Sequence, residues 1–124
     1  MKAFTLIAST LSVVAALAAG AAAADTVTKR DGALVNSAGM TVYTFDKDVA
    51  GSGKSACSGG CATAWPAVTA GDAPVKEPYS VVTRDDGTKQ LAYKGKPLYL
   101  YQSDKKAGDR KGDNFKDVWH IVTD

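Results

Sequence analysis

Residues 39–48 and 95–104 write one phrase twice, Gly-Met-Thr-Val-Tyr-Thr-Phe-Asp-Lys-Asp and then Gly-Lys-Pro-Leu-Tyr-Leu-Tyr-Gln-Ser-Asp. At one offset Gly39 aligns with Gly95, Tyr43 with Tyr99, Phe45 with Tyr101 and Asp48 with Asp104. Each copy runs on through a Gly/Lys-rich loop to a tryptophan, Trp65 or Trp119. Two copies of roughly fifty residues are too long and too few for an ordinary solenoid, which stacks several short units. The duplication predicts two small sheets related by pseudo-symmetry and packed into one sandwich or barrel-like body. Neither half has enough apolar sequence to bury a core alone, so one cooperative unit is expected.

The local patterns are those of strands. Met40 to Phe45 alternates, with Met40, Val42 and Thr44 on one face and Thr41, Tyr43 and Phe45 on the other. Thr26 to Lys29 and Ala33 to Val35 flank the Asp31-Gly32 turn, and Asn36 to Gly39 is a second turn cluster. In the second half, strands are expected at 79–84, 90–93, 98–101 and 118–122, with Asp85-Asp86-Gly87 and Lys94-Gly95 as turns. Pro97 falls at a strand start, where a missing N–H donor is tolerated. Ala62 to Trp65 makes at most a short helical turn, because the residue before Pro66 avoids the helical region. The expected fold class is therefore mainly β and antiparallel.

The first residues bear on the compartment. Lys2, the small-apolar run from Phe4 to Ala19 and Ala22-Ala23-Ala24 have the layout of a secretory signal peptide over residues 1–24. Its apolar part is too short for a membrane span. No cysteine stands at the cleavage region, so a lipid anchor of the bacterial type is not expected. A soluble, monomeric domain over 25–124 follows, with repeat one at about 25–70 and repeat two at about 75–124. Removing Lys2 from the 15 basic side chains leaves 14 against 13 acidic ones. That mixed balance lacks the concentrated basic field of a nucleic-acid binder. Lys105, Lys106, Arg110 and Lys111 form a basic cluster that Asp104, Asp109, Asp113 and Asp117 dilute, which reads as a solvated loop.

The twin motifs at Tyr43–Asp48 and Tyr99–Asp104, the Cys57-x-x-x-Cys61 element, Trp65-Pro66, the run Tyr93-Lys94-Gly95-Lys96-Pro97-Leu98-Tyr99 and Trp119 belong together. As a set they resemble the bacterial secreted repeat of unknown function, also described as predicted lipoproteins with a Tyr-x-aromatic-x-x-Asp motif. The resemblance spans the chain after residue 24. It implies an exported envelope or secreted protein, periplasmic or extracellular, and names no reaction. Many such relatives carry a lipoprotein signal, from which this chain departs.

Each chemical constellation has a plain structural alternative. Cys57 and Cys61, separated by Ser58-Gly59-Gly60, are expected to form a disulfide in an oxidising compartment. A thiol-redox role competes, but thioredoxin-type enzymes use a spacing one residue shorter. His120, the only histidine, is expected at the rim, and neither zinc nor a Met40/His120 copper or haem pair has enough ligands. Asp104, Asp109 and Asp113 are calcium candidates, set against a reading in which Asp48 and Asp104 accept loop backbone N–H bonds. Tyr43, Phe45, Tyr99 and Tyr101 are expected in the core with Trp65 and Trp119, the alternative being an aromatic platform for a glycan, peptide or apolar ligand. No catalytic triad or phosphate loop is spelled out, and no cofactor is predicted. The reading is a non-enzymatic binding or structural module with an unknown envelope or extracellular partner; a periplasmic thiol-redox or electron-transfer accessory is the alternative.

Overall fold

The computed structural model describes residues 27–71 and 74–123. The expected signal peptide lies outside the described residues. Seven short strands dominate: β1 (Thr28–Arg30), β2 (Ala33–Val35), β3 (Tyr43–Phe45), β4 (Tyr79–Thr83), β5 (Lys89–Tyr93), β6 (Lys96–Pro97) and β7 (Trp119–Ile121). A helical turn, α1 (Gly60–Ala64), and a 3-10 turn at Phe115–Asp117 are the helical pieces among the described residues. The strands make three small antiparallel sheets, β1-β2, β3-β7 and β4-β5-β6. The fold is mainly β and built from two repeats.

Two predicted strands are shorter than the alternation implies. Met40–Phe45 contributes β3 and an isolated bridge from Thr41 to Val35. The 98–101 segment pairs through Tyr99, which bridges both Tyr43 and Ala67. The reason is topological: Tyr99 stands where the halves cross, and its neighbours turn to different partners. Leu98 donates its N–H to Leu91, whereas Leu100 donates to Pro66.

The halves interlace rather than merely pack. β7, from repeat two, pairs with β3 of repeat one in the register Tyr43↔Ile121, Thr44↔His120 and Phe45↔Trp119. Reciprocally, Val68 of repeat one inserts into repeat two, donating to Leu98 O at 3.0 Å and accepting from Leu91 N at 2.8 Å. The duplicated tyrosines meet at the centre, Tyr43 N bonding Tyr99 O at 2.7 Å and Tyr99 N bonding Tyr43 O at 2.9 Å. The motif glycines share this plan. Gly39 and Gly95 have φ of +82° and +84°, a region open to glycine at little cost. Gly108 N bonds Gly39 O, and Gly51 N bonds Gly95 O, so each copy's loop docks on the other copy's turn.

Strand alternation divides the core in two. Val42 and Leu98 join Leu34, Val68, Ala70, Leu91 and Val122 in an aliphatic cluster. Tyr43, Phe45 and Tyr99 point the other way, into an aromatic cluster with Trp65, Trp119 and Cys57. Both faces of each motif strand are therefore covered.

Candidate functional site

The repeated motif closes on itself at the aromatic cluster. Phe45, Trp119, Trp65 and Tyr101 form a column of stacked rings, with centroid spacings of 4.1, 3.7 and 4.0 Å in that order. The order is palindromic, since Phe45 matches Tyr101 and Trp119 matches Trp65. Tyr43 meets Trp65 edge-on at 5.4 Å, and Tyr99 meets Trp119 edge-on at 5.1 Å. Such stacked and T-shaped geometries suit the ring quadrupoles and add to the burial of large apolar area.

The aspartates complete the exchange. Tyr43 Oη donates to Asp104 Oδ2 at 2.7 Å, and Tyr99 Oη donates to Asp48 Oδ2 at 2.6 Å. Each tyrosine thus bonds the aspartate of the other copy. The second carboxylate oxygens take backbone amides, Asp48 Oδ1 from Ala56 N at 2.6 Å and Asp104 Oδ1 from Lys111 N at 2.9 Å. The expected amide-accepting role is present, and the tyrosine bonds were missed because they cross between halves. Both tyrosines are completely buried, and the hydroxyls sit inside, not at the rim. Burial, and then the bond to Asp104, raises the Tyr43 phenol above its usual range; burial and the bond to Asp48 do the same for Tyr99.

The two loops differ in what they offer. In copy one, Cys57 and Cys61 form a disulfide with Cα atoms 5.2 Å apart, opening α1. Arg84, from the turn after β4, holds this loop through Nη2 to Cys57 O and through Nη1 to Ser55 Oγ at 3.1 Å. The same Nη1 reaches Gln90 Oε1 at 2.8 Å, and the buried Gln90 donates onward to Leu98 O at 2.7 Å. The chain around Arg84 offers no signal for this network, which exists only because β4 lies beside the disulfide loop. An open polar cleft of about 330 Å³ lies there, lined by Lys54, Ser55, Ser58, Thr83, Arg84 and Asp86.

In copy two the calcium candidates find protein donors. Asp104 is committed to Tyr43 and Lys111, Asp109 Oδ2 accepts from Lys105 N at 2.9 Å and Lys106 N at 3.2 Å, and Asp113 Oδ1 accepts from Ile121 N at 3.2 Å. Among the described residues no three of His, Cys, Asp and Glu converge as ion ligands. His120 stands half-buried on β7, its Nε2 2.8 Å from Asp46 Oδ2 and its Nδ1 3.1 Å from Asn114 Oδ1. Among the described residues no helix is long and apolar enough to cross a membrane.

No curated protein and no solved structure matches the chain. A family model described as a secreted repeat of unknown function matches it twice, over residues 25–69 and 80–123. Those spans contain the two interlaced halves, each with its own Tyr-x-aromatic-x-x-Asp phrase and closing tryptophan. The chain belongs to this family of secreted repeats.

Proposed function

We propose that the protein is a non-enzymatic module that works outside the cytoplasm, with its duplicated motif as scaffold and its differing loops as binding surface. One observation carries this reading. Both Tyr–Asp pairs close within the aromatic cluster, so the repeated polar groups face each other and not solvent. A duplicated active site would keep at least one copy of its chemistry open to a substrate. The exposed surface that distinguishes the copies lies in the disulfide loop and in the mixed-charge loop.

The competing class is a thiol-disulfide enzyme using Cys57 and Cys61. Catalysis of that kind requires a sulfur accessible to an incoming thiolate, and an activated leaving thiol. Cys57 is fully buried within the aromatic cluster with Arg84 clamping its carbonyl, and Cys61, partly buried, packs against the same cluster. An insulin-reduction assay with dithiothreitol decides the class. The expected result is no rate above background, and multiple turnovers would overturn the binding-module reading.

A further inference from the structure

The loop from Asp104 to Asp113 mixes both signs in sequence, and folding ties its acids to backbone N–H or phenol donors while its bases stay free of the core. Asp104 is buried on Tyr43 and on the Lys111 amide, Asp109 turns onto the Lys105 and Lys106 amides, and Asp113 caps Ile121 N. Lys105, Lys106, Arg110 and Lys111 remain exposed. The fold adds a fifth cation from repeat one, Arg30 on β1. Its Nη1 lies over the Gly39 turn, 3.3 Å from where a Cβ on Gly39 would stand.

This face is held in place. Thr41 Oγ1 donates to Asp109 O at 2.6 Å, Gly108 N bonds Gly39 O at 3.3 Å, and Arg110 Nη2 bonds Asp31 O at 3.0 Å. An open cleft of about 490 Å³ lies between Arg30 and Arg110, with Asp31 the one acidic side chain on its wall. The matching stretch of copy one, Asp48 to Ser55, carries Lys54 as its only cation. The basic face therefore belongs to one end of the molecule and breaks its pseudo-symmetry.

We propose that this face docks the protein on a bilayer surface bearing anionic phospholipid, with a headgroup phosphate between Arg30 and Arg110. Guanidinium forks match phosphate oxygens, and each basic side chain near an anionic leaflet adds attraction. With Val35, itself buried, and Ala107 as the apolar side chains on the cleft wall, attachment is electrostatic, reversible and weakened by salt. The proposal deepens the binding-module reading and rests on it.

Vesicle co-sedimentation tests it, with phosphatidylcholine alone against phosphatidylcholine mixed with phosphatidylglycerol. The protein is expected to sediment with the mixed vesicles only, and to be released as salt rises past about 0.15 M. The K105Q/K106Q/K111Q variant keeps every backbone bond of the loop and is expected to lose roughly tenfold or more in partitioning. Lys76→Gln, in the exposed connector, is expected to bind like the parent. Absence of binding, equal binding to phosphatidylcholine, or a triple variant that binds like the parent would each overturn the proposal. Tighter capture by a soluble anionic polysaccharide such as alginate would overturn the membrane as partner. Vesicle binding can fail while insulin reduction stays blank, so this proposal and the broader reading fail separately.

Discussion

Tyr99 and Asp48 show how a single exchanged bond couples the two halves. The phenol donates to a buried carboxylate, and deleting the hydroxyl leaves that carboxylate oxygen short of a partner. Tyr99→Phe is therefore expected to lower stability by about 1–3 kcal/mol, as read from urea denaturation. Tyr43→Phe, its twin through Asp104, is expected to behave alike. The same burial makes alkali destructive. An unfolded tyrosine ionises near pH ~10, whereas folded Tyr43 and Tyr99 hold their protons to higher pH. The unfolded state thus releases protons first, so the contribution of these two tyrosines to stability is constant below pH ~10 and falls as pH rises beyond it. Ultraviolet phenolate absorbance should show these two tyrosines ionising together with unfolding; their titration in the native protein would contradict the geometry. Tyr43, Phe45, Tyr99, Trp65 and Trp119 were legible in the sequence as core, while Tyr101, expected with them, is only partly buried against it. Their partners were not, because the bonds span 61 and 51 positions.

At the scale of elements, the closing segments matter more than their length suggests. The loop carrying Gly112 passes so close to Trp65 that a Cβ there would meet Cζ3 at 2.8 Å and Cη2 at 2.6 Å. Gly112→Ala should accordingly overpack the ring column and cost about 1–3 kcal/mol, measured by thermal or urea melting. Near-UV circular dichroism should register the disturbed tryptophan pair. Turns and alternation revealed where most strands start, since Asp31-Gly32, Asp85-Asp86-Gly87 and Lys94-Gly95 all stand between paired strands. Alternation alone overstated 40–45 and 98–101, because it records side-chain facing and not which neighbour supplies the ladder.

For the whole molecule, exchange of closing segments couples the folding of the two halves. Leu34 N of repeat one bonds Val122 O, and Leu91 N of repeat two bonds Val68 O. Each half lacks backbone partners that the other provides. A single two-state transition is expected, with far-UV and near-UV signals coincident. Val42→Ala, in repeat one, should lower amide-exchange protection in β5 of repeat two by the same free energy as in β3. Protection that falls in one half alone would refute the interlaced arrangement.

The sequence by itself determined the duplication, the β class, the family and the apolar faces, because these depend on local periodicity and on residue identity at matched positions. It also brought the cysteine pair within a few residues, close enough to join. Only the tertiary structure decided that Tyr43 answers Asp104 and Tyr99 answers Asp48, that Arg84 clamps the disulfide loop, and that the acids Asp104, Asp109 and Asp113 take backbone N–H donors while the bases of that loop stay exposed. Those outcomes depend on which distant segments the fold brings together. A buried donor bonds whatever acceptor the fold brings beside it, and spacing along the chain carries no record of that choice.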